Sequence, residues 1–332
     1  MRMTALLIGA MLVGSTPACG GSGSDDGVVF SDALQRGEDG YTPPEGEDGW
    51  VAPDGVAPGP DSLATPDSKP EPQAGPCNYL DTPQSISDLA SSYTAGAWKE
   101  TLVTLMERRY APGQYILTHV QDQSQLPMFV QTGSFASLVQ SASTAVHEMD
   151  HLYGWELGGW TEYGYFLCPE KIIKVSNIKT PNRSCVYDLL PKGIGGLLMD
   201  YADLYLTGQM GAQGLQTLLD ELNAYTHSIF IDYQLADQLP GGVSISSLDG
   251  LAAFMLFTEL YFKWVRENQP QQYDAILAAS GIREVVLLLW DRAEWIIDAS
   301  ADKSNTLQIM ADPVLDVVFG QDAYSEIVLL RD

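Results

Sequence analysis

Apolar residues recur with helical spacing from Phe135 onward: Phe135, Leu138, Val139, Ala142, Ala145, Val146, Met149, Leu152 and Tyr153. At about 100° per residue they fall on one arc of a helix. Ser137, Gln140, Thr144, His147, Glu148 and His151 occupy the opposite arc. Gly154 is the expected end of this helix. Upstream, Tyr93 to Arg109 has helical composition, with Asp81 or Ser85 able to cap a helix before it. Ala111-Pro112-Gly113 is expected to break that helix. Gln114 to Val120 then alternates β-branched and aromatic residues, which predicts a strand carrying His119. Gln121 to Pro127 reads as a polar loop.

Beyond the motif helix, Trp155 to Phe166 is crowded with Trp155, Trp160, Tyr163, Tyr165 and Phe166. Such aromatics more often build a core than line a substrate groove. Gly193, Gly195 and Gly196 form a turn without the strand–turn–helix context of a phosphate loop. Helices are predicted at Leu197 to Tyr205, Gly211 to Tyr233, Leu251 to Trp264 and Glu284 to Ile297. Within the third of these, Glu259 sits in an apolar run, and an ion pair with Lys263 one turn on would accommodate it. Few strand signals among many helical ones predict an α+β fold, mostly helical.

Composition changes this picture at the N-terminus. Met1 to Cys19 has a basic start, an apolar run from Ala5 to Val13 and small residues at Ser15 to Ala18, which is a secretory signal pattern. Residues 20–76 are rich in Gly, Pro, Ser, Asp and Glu and bury too little to fold, so they read as an acidic tether. The folded domain is expected over 77–332. Cys19, followed by Gly20-Gly21-Ser22-Gly23-Ser24, resembles the processing site of a bacterial lipoprotein, although Thr16 stands where that family usually has leucine. The resemblance implies an exported protein at the outer membrane or cell surface, held to the membrane only through a lipidated Cys19. A net charge of −26 argues against nucleic acid as a partner and against binding anionic lipid through a basic patch. In an oxidising compartment, Cys168 and Cys185 are the first expected disulfide, leaving Cys77 over; pairing of Cys77 with either one stays open.

The polar arc of the motif helix spells His147-Glu148-Met149-Asp150-His151. Histidines at i and i+4 lie one above the other and can reach one ion, while the intervening glutamate can take a proton from water that the ion polarises. The competing reading is a solvated face that spells the motif by accident. Small Ser and Thr residues around the histidines leave room for a cleft and favour the metal.

These residues resemble the zincin metallopeptidases, whose catalytic zinc takes three protein ligands. Metzincins place a third histidine six residues after the second; here that position is Leu157, so this branch is excluded. Leu219-Asp220-Glu221-Leu222-Asn223-Ala224-Tyr225 resembles the second motif of gluzincins, in which a glutamate is followed three residues later by alanine. The resemblance implies a zincin-like domain with a zinc ion held by His147, His151 and Glu221, a general base at Glu148 and a peptide substrate. Tyr225, one turn past Glu221, could donate a hydrogen bond to the oxyanion. Asp200 and Asp203 are weaker ligand candidates, since no Gly-Thr-x-Asp pattern surrounds them. His147 to Gly154 also resembles the third motif of peptide deformylases. Those enzymes take a cysteine ligand from an upstream Glu-Gly-Cys, whereas Cys77 here lies in Gly-Pro-Cys-Asn. A non-catalytic surface lipoprotein with a zinc site is the alternative from another class.

Overall fold

The computed structural model describes Gly75, Cys77, Asn78 and residues 80–194, 196–239, 247–303 and 307–332. The expected signal segment, Cys19 and nearly all of the expected tether lie outside the described residues. Helices dominate, with one small antiparallel hairpin, so the α+β, mostly helical expectation holds. In chain order they are α1 (Ser87–Ser92), α2 (Trp98–Arg109), α3 (Ala111–His119), α4 (Phe135–Gln140) and α5 (Ala142–Gly158). The hairpin β1 (Glu162–Cys168) and β2 (Lys171–Ser176) comes next. Then come α6 (Leu197–Tyr205), α7 (Gly208–Gly211), α8 (Leu215–Leu235) and α9 (Ser247–Asn268). The chain ends with α10 (Pro270–Ala278), α11 (Ile282–Ala299), α12 (Ala311–Val318) and α13 (Gln321–Arg331). No helix among the described residues is long and apolar enough to cross a membrane.

The core is built around α8 and α9, which pack on each other and are buried along nearly their whole length. α5 lies against α8 on one side and against β1 on another. A helix buried on several faces cannot be simply amphipathic. The polar residues of α8, including Asp220, Glu221, Asn223, His227, Ser228 and Asp232, are therefore inside the protein and must find partners there.

Several local expectations are corrected. Gln114 to Val120 is not a strand but the body of α3. Tyr110 breaks the helical path with φ −156° and ψ 88°, and Pro112 then occupies the first turn of a new helix, where its missing N–H costs nothing. The motif helix is two helices, α4 and α5, separated at Ser141. Ser134 caps α4 by accepting from the Ser137 N–H, and Ser141 accepts from the Gln131 N–H across the break. Gly154 does not end α5, which runs to Gly158 and stops where Gly159 takes φ +66°. Gly154 serves packing instead: a Cβ there would stand 2.6 Å from the Gly164 carbonyl oxygen, so β1 can lie directly on the helix.

The hairpin pairs Glu162 with Ser176 and Tyr165 with Ile173, with an irregularity between Phe166 and Cys168. Of the aromatics expected to build the core here, Tyr165 and Phe166 are fully buried, whereas Trp155 and Trp160 are exposed. Cys168, at the inner end of β1, bonds Cys77 and not Cys185, with Cα atoms 5.7 Å apart. Cys185 is disulfide-bonded as well, so none of the described cysteines is free. Proximity in sequence misled here, because the hairpin carries Cys168 back against the beginning of the domain. Glu259 also differs from expectation. It makes no ion pair with Lys263; neither carboxylate oxygen has a hydrogen-bond partner among the described residues.

Candidate metal centre

α5 presents His147 and His151 to α8, and α8 returns Glu221. The polar arc read from the sequence as facing away from the core is thus covered by a second helix: His147 is 7% exposed, His151 6% and Glu221 7%. Ala224, one turn past Glu221, has no exposed surface, and a small side chain there allows the close approach.

A neighbouring side chain engages the Nδ1 atom of each histidine. Ser228 Oγ, which also reaches the Ala224 carbonyl, pairs with His147 Nδ1 at 3.2 Å. His151 Nδ1–H donates to Asp220 Oδ2 at 2.8 Å. With both Nδ1 atoms engaged, the two Nε2 atoms face each other at 3.2 Å. Glu221 Oε2 completes the triangle, 3.7 Å from His147 Nε2 and 3.6 Å from His151 Nε2. That oxygen is buried and has no hydrogen-bond partner. A point equidistant from the three atoms lies about 2.0 Å from each, the ordinary zinc–nitrogen and zinc–oxygen distance. These three residues form a buried group able to hold a metal ion, the one such group of three among the described residues. The ligands expected from the sequence are therefore brought together.

Electrostatics follow from this burial. Burial alone would raise the Glu221 carboxyl, but His151 and His147 beside it hold it well below the usual carboxylate range. Burial would likewise favour neutral His151, yet Asp220 and Glu221 outweigh it and push the imidazole well above its ordinary value. Arg183 enters the same field. It is fully buried at the start of the 3₁₀ turn Arg183–Leu189, gives its Nε–H to the Met210 carbonyl, and feels Glu221 and Asp220 among its nearest charges.

Glu148 is half-buried and stands on the more open side of α5. Tyr225 packs its ring 4.7 Å from that of His147 and stacks on Phe254. Its hydroxyl shares hydrogen bonds with those of Tyr201 and Tyr205 on α6. Burial pushes all three phenols above their usual range. Asp200 and Asp203 are exposed and outside the group, Asp203 accepting instead from the Tyr187 hydroxyl. His119 is exposed and stacks on Tyr115. His227 is fully buried behind the group, between the Phe166 carbonyl and the Tyr110 hydroxyl, and has a structural place there.

Sequence reasoning gave no hydrogen-bonding role at the site to Asp220, Ser228 or Arg183, Ser228 being noted only as a small residue that lets the two helices approach. Asp220 precedes Glu221, and Ser228 follows it by two helical turns, so a search for polar partners on one helix face could have found both. Arg183 carries no such signal. No family model, curated protein or solved structure matches this chain.

Proposed function

We propose that the protein is an exported zinc-dependent peptidase with a gluzincin-type site on a zincin-like domain. The observation that carries this is the triangle of His147 Nε2, His151 Nε2 and Glu221 Oε2, with separations of 3.2 to 3.7 Å and the Nδ1 atom of each imidazole engaged by a neighbour. Two imidazole nitrogens and one carboxylate oxygen suit zinc, and three protein ligands are the number used where an open position is kept. Bound there, zinc supplies Lewis acidity toward water and a substrate carbonyl.

The chain's own residues would do the rest. Glu148, next to His147 and partly open to solvent, would take a proton from the attacking water and pass it to the leaving amine. Asp220 and Ser228 hold the imidazoles with their Nε2 lone pairs toward the ion. Tyr225, beside His147, would orient the carbonyl oxygen and donate to it as negative charge develops.

The test is metal content and chelator-sensitive hydrolysis of a peptide library by the purified protein. One zinc per chain is expected, with hydrolysis lost on chelation and restored by zinc. Glu148→Gln should retain the zinc and lose hydrolysis by several orders of magnitude. Stoichiometric zinc with no hydrolysis of any peptide would favour the non-catalytic zinc protein instead.

A further inference from the structure

Two tryptophans stand in solvent at the end of the helix that carries the two histidines. Trp155 is 45% exposed and Trp160 85%, and their rings meet edge to face at 5.7 Å. Large aromatic surfaces are normally withdrawn from water, so a solvent-facing pair calls for an occupant.

Their position relative to Glu148 points to one. Seven residues separate Glu148 from Trp155 on α5, which brings them within about 20° of one line along the helix. This line is the more open side of α5: Thr144 and Glu148 are half-buried and Trp155 is exposed, whereas His147 and His151 face α8. Trp160, just past the end of α5, extends the aromatic surface. The rise from Glu148 to Trp155 is about 10 Å at 1.5 Å per residue. An extended peptide covers that distance in about three residues.

We propose that Trp155 and Trp160 form a subsite for an apolar or aromatic side chain of an extended peptide substrate, about three residues from the bond presented to Glu148. This rests on the peptidase reading above and adds the substrate class to it. Tryptophan suits such a role because it offers a large contact surface with few torsions to order. A lipid bilayer is the competing occupant. The chain's net charge of −26 and the carboxylate of Glu156 beside Trp155, which accepts from the Gln121 and Asp122 N–H groups, disfavour the anionic surface of a membrane.

The experiment profiles cleavage of a proteome-derived peptide library by the zinc-loaded full chain, wild type and Trp160→Ala, with zinc content and melting temperature as folding controls. The wild type should enrich aromatic and large aliphatic residues about three positions from the cleaved bond on one side. In Trp160→Ala this enrichment should flatten while preferences next to the bond persist. For a peptide bearing phenylalanine at that position, KM should rise by about tenfold, the size of one lost aromatic contact. The fluorescence of Trp155 and Trp160 should also respond when that peptide binds zinc-loaded Glu148→Gln, and Trp160→Ala should diminish the response. Zinc-dependent cleavage with no preference at that position, or with the same preference in Trp160→Ala, overturns the subsite and leaves the peptidase reading standing. Trp160-dependent binding to phosphatidylcholine–phosphatidylglycerol vesicles, with peptide preference unchanged, gives the surface to a membrane and overturns it too. No zinc-dependent cleavage by the wild type overturns both readings.

Discussion

Asp220 Oδ2 lies 2.8 Å from Nδ1 of His151, so the residue before Glu221 grips the imidazole that Glu221 faces from the other side. Two consecutive acidic residues of one helix thus act on opposite nitrogens of one ring. Replacing Asp220 by asparagine keeps the shape but removes the charge that favours the Nδ1–H form. Zinc affinity should fall by about 10- to 100-fold, the usual effect of losing such a partner. Competition with a fluorescent chelator measures it, and unchanged affinity would remove Asp220 from the site's support.

Zinc should also stabilise the fold. A metal bound by the native state alone adds about 4 kcal/mol at a thousandfold excess over Kd. The melting temperature of the wild type should therefore rise on zinc addition and fall on chelation. The His147→Ala, His151→Ala double variant should show neither response and should purify without stoichiometric zinc. Retained zinc in that variant would place the metal elsewhere.

Gly250 governs where Tyr225 can sit. A Cβ on Gly250 would lie 2.0 Å from Tyr225 Cε1, so α9 offers the tyrosine ring bare backbone. Gly250→Ala should push the ring from its place between His147 and Phe254 and cost about 1–3 kcal/mol of stability, the range for overpacking. If Tyr225 aids the developing oxyanion, kcat of Gly250→Ala should drop with zinc content intact, and Tyr225→Phe should lower it by a similar factor. Full activity in both variants would confine Tyr225 to packing.

Glu259 should set a pH dependence of stability. Burial, with Glu326 and Glu294 nearby, raises its carboxyl from the usual 4.5 to about 9. The folded chain therefore keeps a proton that the unfolded chain gives up, and stability falls as pH rises from about 4.5 to about 9. The full cost above that range is on the order of 6 kcal/mol. Glu259→Gln should match the wild type near pH 4 and exceed it increasingly toward pH 9, as read from melting temperatures of both proteins across that range. A constant difference between them would show that the carboxyl is already ionised in the fold.

Much of the candidate site was legible because its chemistry is local. His147, Glu148 and His151 share one helix, and Glu221 announces itself by the alanine three residues on. Helix α8 carries Glu221, Asp220 and Ser228 together, so one correctly placed helix brings most of the group with it. What stayed hidden depends on contacts between distant segments. Gln114 to Val120 has strand-like alternation, yet Pro112 opens a helix there and the core accepts Ile116 and Leu117 from it. The polar arc of α5 reads as facing away from the core, since nothing in its own sequence shows that α8 will cover it. The Cys77–Cys168 bridge was one of several pairings left open, and only the hairpin's path selects it. Glu259 has a lysine one turn away in sequence, but burial against α11 and α13 decides its surroundings instead.

That bridge has a topological consequence. The bond between Cys77 and Cys168 spans a sequence separation of 91 residues and closes them into a covalent ring. His147 and His151 lie inside this ring and Glu221 outside it, so a metal held by all three would lock the ring to the rest of the chain. The stretch from Gln121 to Ser134 contains exposed positions such as Asp122 and Met128. A single backbone cut there would open the ring without releasing either fragment. The piece carrying α2 and α3 would stay leashed through Cys77 to the end of β1, while α5 remained continuous with the rest of the chain.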